Sequence, residues 1–119
     1  MVGGVGTDIV EISKIKTYSE REDFLLKTFT QQEISYANNK DSGARKAEHL
    51  ATAFAGKEAV FKALGIAYFE PREIEILRDD NGKPYAVLQG QTKELAGKKK
   101  IEISLSFSKD NAIGFAVVN

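Results

Sequence analysis

The sequence predicts an α+β fold in which an antiparallel sheet packs against one long helix, with shorter helices around them. Three observations carry that reading. Ala44 to Leu64 is rich in Ala, Leu, Lys and Glu, contains no proline and is followed by Gly65, the pattern of a long helix with a glycine cap. From Ile101 to Ser108, Ile, Ile, Leu and Phe alternate with Glu and serines, the period of a half-buried strand. Asn81-Gly82 stands between two apolar runs and marks a hairpin. A chain of 119 residues has the length of one domain, so residues 1–119 are read as a single unit.

The elements follow in order. Val2, Val5, Ile9, Val10 and Ile12, interrupted by Gly3, Gly4 and Gly6, predict a buried strand that lets another backbone approach closely. Ser13 is placed to cap a short helix. Phe24, Leu25 and Phe29 recur at helical spacing within Glu20 to Phe29. Thr30 and Glu33 form a capping box, which starts another helix at Gln31. Asn38 to Gly43 is polar and reads as a loop. The long helix from Ala44 would extend about 30 Å at ~1.5 Å per residue, with Leu50, Phe54, Phe61 and Leu64 as its apolar stripe.

In the second half, Glu73 to Leu77 alternates as a strand and Tyr85 to Leu88 returns from the hairpin. The Asn81-Gly82 turn is expected to need positive φ at both positions. Gln91 to Ala96 predicts a short helix, Lys98 to Lys100 a solvated basic run, and Ile113 to Val118 the last strand. The sequence holds no internal repeat and no low-complexity segment.

Composition narrows the function classes. Seventeen basic residues balance 17 acidic ones, so no global field draws the chain to nucleic acid or to an anionic membrane, and neither is expected as a partner. The absence of cysteine excludes disulfides, thiolate metal sites and a cysteine nucleophile. Met1 to Asp8 lacks the features of a signal peptide, and no apolar run approaches the roughly 20 residues of a membrane helix. A cytoplasmic location is the expectation.

Candidate chemistry begins at Asp8, an acid interrupting an apolar strand, where a carboxylate needs a partner. The plain alternative is a turn cap or a lysine pair. Lys57, Glu58 and Lys62 form a second group on the long helix. Glu58 and Lys62, four residues apart, share a face between Phe54 and Phe61. They equally suit a surface ion pair of about 0.3–0.5 kcal/mol. Together, Asp8 and Glu58 offer hard oxygen ligands suited to Mg²⁺, with Mn²⁺ also accepted, and a lysine beside them would offset charge on a transferring phosphoryl group.

Four motifs then add a resemblance. Gly6-Thr7-Asp8-Ile9-Val10-Glu11-Ile12 resembles the N-terminal signature of the holo-acyl-carrier-protein synthases, and Phe54-Ala55-Gly56-Lys57-Glu58-Ala59-Val60-Phe61-Lys62-Ala63-Leu64-Gly65 resembles their second signature. Asn81-Gly82-Lys83-Pro84 is similar to their hairpin, and Ser104-Leu105-Ser106 to their C-terminal strand. The order and spacing fit across essentially the whole chain.

That resemblance implies the 4′-phosphopantetheinyl transferase fold and a homotrimer with nucleotide sites between subunits. It implies transfer of 4′-phosphopantetheine from coenzyme A, the substrate, to a serine of apo acyl carrier protein, releasing adenosine 3′,5′-bisphosphate. Asp8 and Glu58 would hold the metal, and Lys62 would contact the pyrophosphate. Glu58 or a metal-bound water would act as base. Asn81, Gly82, Lys83 and Pro84 would lie near the adenine end, and the carrier would dock on Lys14, Lys16 and Arg21, which read equally as a solvated face.

The chain departs from the family's pattern at several positions. Ala53 stands where many members have arginine, Phe107 where many have histidine, Ile66-Ala67-Tyr68 where Thr-Gly-Ile is common, and Lys14 where arginine is frequent. Arg45 and Lys83 are candidates to restore positive charge for the nucleotide. His49, the only histidine, reads as structural or exposed. The alternative to an active transferase is a non-catalytic homologue that binds carrier protein or nucleotide.

Overall fold

The computed structural model describes residues 2–39 and 43–119. The chain passes through β1 (Gly4–Glu11), α1 (Ile12–Ser19), α2 (Glu22–Thr28), α3 (Gln31–Asn39) and α4 (Gly43–Leu64). A 3-10 turn (Pro71–Glu73) then leads to β2 (Ile74–Arg78), β3 (Pro84–Leu88), α5 (Gly90–Ala96), β4 (Ile101–Phe107) and β5 (Asn111–Val118). The strands form two antiparallel sheets, a three-stranded one in the order β1-β5-β4 and the β2-β3 hairpin. The long helix α4 packs against β1, β5, β4 and β2.

Small residues set the approach of α4 to the larger sheet. Ala55, Ala59 and Ala63 recur every four residues and form a buried strip along the helix. Gly4 of β1 lies against Ala63, Gly6 against Ala59, and Gly114 of β5 against Ala55. A Cβ on any of these glycines would run into the carbonyl oxygen of its alanine partner. Bulkier residues fill the flanks: Leu50, Val60 and Leu64 of α4, Ile74 of β2, Val118 of β5 and Phe29 are all buried in one core.

The capping box is present. Glu33 N–H donates to Thr30 Oγ1 at 3.3 Å, and Thr30 N–H donates to Glu33 Oε1 at 2.8 Å. Glu33 does more than cap. Its Oε1 also accepts from Lys57 Nζ at 2.7 Å, and its Oε2 accepts from Ile76 N–H at 2.7 Å. Lys57 further donates to the carbonyls of Pro71 at 2.7 Å and Ile74 at 2.9 Å. These bonds occupy the Pro71 carbonyl of the 3-10 turn and two backbone groups of β2.

Several expectations are corrected. Glu11, not Ser13, precedes α1, and Ser13 lies inside the helix with its carbonyl accepting from the Thr17 hydroxyl. The second helix begins at Glu22 rather than Glu20. Asn38 and Asn39 belong to α3 and Gly43 to α4, while residues 40–42 of the expected loop lie outside the described residues. The hairpin connection is a five-residue loop and not a two-residue turn. Asp79 organises it, its Oδ1 accepting from Asn81 N–H and Lys83 N–H at 2.9 Å each, while Gly82 takes φ of 83°. Val5 and Ile9 of the expected buried strand are 59% and 62% exposed on the sheet face away from α4.

Replacing Gly6 with Ala should push α4 off β1 and lower stability by about 1–3 kcal/mol, the range for overpacking a filled interior. Chemical denaturation of G6A and wild type checks this.

Candidate functional site

The glycine–alanine seam decides where the acids meet. Side chains alternate along β1, so Gly4, Gly6 and Asp8 face α4 while Val5, Thr7 and Ile9 face away. With Gly6 pressed on Ala59 and near Lys62, Asp8 arrives beside the helix face that carries Glu58 and Lys62. Lys62 Nζ donates to Asp8 Oδ1 at 3.1 Å and to the Thr7 carbonyl at 3.0 Å. The Asp8 side chain is 16% exposed and that of Lys62 is 49% exposed.

Asp8 uses only one of its carboxylate oxygens. Its Oδ2 is buried and has no hydrogen-bond partner. Glu58 stands one helical turn before Lys62 and is half-buried. Burial raises the Glu58 carboxyl above its ordinary range, the Asp8 charge raises it further, and Lys62 partly opposes both. Two acids that repel each other, one with an unclaimed buried oxygen, make a place that favours a cation. Hard oxygen donors fit a divalent ion of the Mg²⁺ type, which takes one or two carboxylates and completes its shell with waters and phosphate oxygens. No group of three or more His, Cys, Asp or Glu side chains suited to a metal occurs among the described residues, so such an ion would depend on those outside ligands.

The structure therefore brings together Asp8, Glu58 and Lys62. Arg45 is exposed in the first turn of α4 and stands thirteen residues before Glu58 on the helix, about 20 Å away at ~1.5 Å per residue. Asn81, Gly82 and Lys83 lie in the exposed β2-β3 connection and Pro84 begins β3. Lys83 is 3.8 Å from Glu102 in an exposed pair. Lys14 pairs with Glu11 at 3.7 Å and Arg21 with Asp23 at 2.9 Å, both on the surface. Phe54 and Phe61 separate: Phe54 packs near Phe24 and Phe61 against Phe69, at centroid distances of 6.4 and 4.7 Å.

Ala53 is buried and lines a narrow cavity with Tyr36, His49, Arg78 and Leu105, whereas Phe107 is exposed at the end of β4. The His49 ring packs edge-on against Tyr36 at 5.1 Å. Lys57 was grouped in sequence with Glu58 and Lys62, yet its side chain is fully buried and bound to Glu33 and β2. Sequence reasoning also missed a groove that adjoins Asp8 through Ile9 and Val10 and is lined by Tyr18, Phe24 and Phe54. The Phe24 and Phe54 periodicities signalled apolar faces but not that two helices turn them toward β1.

Comparisons with known proteins identify the family. The chain matches the model of the 4′-phosphopantetheinyl transferase superfamily over residues 4–116. It is 40% identical over 124 aligned residues to the holo-[acyl-carrier-protein] synthase of Clostridium acetobutylicum, covering 99% of this chain and 98% of that protein. Identity to the protein of the same name from Clostridium novyi is 42%, covering 99% and 88% of the two chains. A holo-(acyl-carrier-protein) synthase from Bacillus anthracis, solved in complex with CoA (3′,5′-ADP), superposes with a TM-score of 0.83 at 30% identity, covering 99% of this chain and 96% of that one. The Neisseria meningitidis synthase gives a TM-score of 0.86 at 28% identity, covering 100% and 99%.

Replacing Asp8 with Asn removes one of the influences that raise Glu58. The Glu58 carboxyl should then titrate closer to its ordinary 4.5 while burial keeps it above that value. Carbon-13 NMR titration of wild type and D8N in the presence of chelator reads the shift.

Proposed function

This chain belongs to the 4′-phosphopantetheinyl transferase superfamily, and we propose that it transfers 4′-phosphopantetheine from coenzyme A to a serine of apo acyl carrier protein. The observation that carries the reading is the meeting of Asp8, Glu58 and Lys62 at the edge of the glycine–alanine seam. Relatives at about 40% identity carry the name holo-[acyl-carrier-protein] synthase, which supports the same reaction here.

In the reaction, the serine oxygen bonds to the phosphorus on the pantetheine arm. The bond from that phosphorus to the bridging oxygen of the pyrophosphate breaks, and adenosine 3′,5′-bisphosphate leaves with the electron pair. Asp8 and Glu58 would hold Mg²⁺ or Mn²⁺. Such an ion, when bound, neutralises negative charge on the pyrophosphate. Lys62 already donates to Asp8 and to the Thr7 carbonyl, so its ammonium retains one further donor for a phosphate oxygen. Its half-exposed position lets a substrate reach that donor. Glu58, half-buried beside Asp8 on the face that carries Lys62, would be this chain's own group to take the serine proton.

The remaining nucleotide contacts are assigned to Arg45, Asn81, Gly82, Lys83 and Pro84, and the acidic carrier to Lys14, Lys16 and Arg21. Arg45 is far from the trio along α4, so we assign the nucleotide site to a junction between subunits of a homotrimer. The open face of the β1-β5-β4 sheet supports self-association. Val5, Ile9, Ile113 and Phe115 are exposed there and Ile9 pairs with Ile113 across the ladder, which makes a continuous apolar patch. The whole chain 1–119 is proposed to act as one domain. Among the described residues no helix is long and apolar enough to cross a membrane, which accords with the proposed cytoplasmic setting.

A second reading, a homologue that binds nucleotide or carrier without turnover, draws on Ala53 and Phe107 in place of the family's arginine and histidine. Intact-mass spectrometry of apo acyl carrier protein with coenzyme A and Mg²⁺ separates the two. A gain of one phosphopantetheine, lost with chelator, is expected; coenzyme A binding with no gain would favour the second reading. Glu58→Gln should slow transfer by about 100-fold or more, and Lys62→Ala by a similar factor, with the fold retained by circular dichroism. Phe115→Glu should convert the trimer to smaller species in analytical ultracentrifugation, and an unchanged sedimentation coefficient would reject the sheet face as the interface.

A further inference from the structure

Lys57 has no place in the chemistry just described, yet it is the most completely coordinated side chain on α4. Its ammonium donates to the Pro71 carbonyl at 2.7 Å, the Ile74 carbonyl at 2.9 Å and Glu33 Oε1 at 2.7 Å. All three donors are used, and the group has no exposed surface. Burial works against both charges, pushing Lys57 below and Glu33 above their ordinary values. Three acceptors around the ammonium, and amide and ammonium donors around the carboxylate, oppose both shifts. An apolar side chain of similar length would fill the same space without desolvating a charge. What the ammonium provides beyond volume is direction.

Direction matters because the seam beside it provides little. Alanine strips against glycines fix how closely α4 approaches the sheet, but methyl groups on flat backbone do not key the rotation of the helix about its axis. Lys57 and Glu58 are consecutive, so their side chains leave the helix about 100° apart at 3.6 residues per turn. Fixing the heading of one fixes the heading of the other. Resting on the transferase reading of the site, we propose that Lys57 is a positioning residue. Its buried ammonium locks the rotation of α4 so that Glu58 faces Asp8. Two of the same contacts, to Pro71 and Ile74, hold the 3-10 turn and the start of β2, the base of the hairpin assigned to the nucleotide. Glu58 and that hairpin thus take their reference from one charge.

The test uses the full chain with Lys57→Met and Glu33→Gln combined, so that no unpaired charge is left buried. Mn²⁺ binding, followed by the electron paramagnetic resonance signal of the free ion, should weaken about 10–100-fold, the range seen when groups that orient metal ligands are lost. Turnover should fall with it, while KM for the carrier stays unchanged because Lys14 and Arg21 are untouched. Lys57→Gln combined with Glu33→Gln keeps hydrogen-bonding groups at both positions without a buried charge and should give a smaller loss, which serves if the first double variant does not fold. Leu50→Ala supplies the comparison, since it removes a buried α4 side chain two turns before Lys57 that makes no contact with Asp8, and it should lower the melting temperature without changing Mn²⁺ affinity. Wild-type Mn²⁺ affinity and turnover in the folded charge variants would overturn the proposal, as would an equal loss in L50A. A wild-type protein that neither binds Mn²⁺ nor transfers phosphopantetheine would instead overturn the site reading, and this inference with it.

Discussion

The close contact of the α4 alanine strip with the glycines of β1 and β5 is the constraint on which the rest of the structure depends. Alanine against glycine buries little apolar surface per residue, so the seam contributes less hydrophobic stabilisation than a leucine interface would, at roughly 25 cal/mol per Å². The core on its flanks supplies the burial instead, through Leu50, Val60, Leu64, Ile74 and Val118. What the seam supplies is proximity. With the two backbones nearly touching, the Lys62 ammonium of the long helix reaches the Thr7 carbonyl of the neighbouring strand. The candidate site is a consequence of that short distance.

Two lysines on α4, five residues apart, show how hydrogen-bond saturation separates structure from function. The Lys57 ammonium is surrounded by three acceptors, and Glu33 accepts from Lys57, Thr30 and Ile76. The ammonium has no donor left for a ligand, and the Glu33 carboxylate beside it is buried. Lys62 is half-exposed with two acceptors, and Asp8 keeps one buried oxygen with no partner. A buried acceptor with no donor is unfavourable unless something else completes it. The second pair is therefore incomplete in the isolated chain, with a lysine donor and a buried carboxylate oxygen still unclaimed.

Local rules in the sequence located most elements. The helix of α4, the strand Ile101–Phe107 and the capping box at Thr30 and Glu33 follow from short-range periodicity and side-chain geometry, and the structure contains each of them. Motif resemblance brought Asp8 and Glu58 together across fifty residues, which periodicity alone had no means to do. The errors have a common origin in long-range partners. Lys57 read like its neighbours because nothing local signals that Glu33, twenty-four residues earlier, closes over it. The Asn-Gly pair predicted a tight turn, but Asp79 was free to gather two amides and lengthen the loop.

The strand β1 joins these themes because its two faces answer different demands. Even-numbered residues from Gly4 to Asp8 turn toward α4, where the seam demands glycine and the site demands an acid. Odd-numbered Val5 and Ile9 turn outward and remain exposed, against Phe115 and Ile113 of β5 on the same face. A period-two strand with glycines inside and β-branched residues outside is inverted relative to a half-buried strand, whose bulk belongs on the covered face. The inversion makes sense if the outer face is also covered. Covering it would remove apolar surface from water and hold straight the strand that carries Asp8. The acid proposed to hold the metal and the face proposed for assembly are thus two sides of one eight-residue segment.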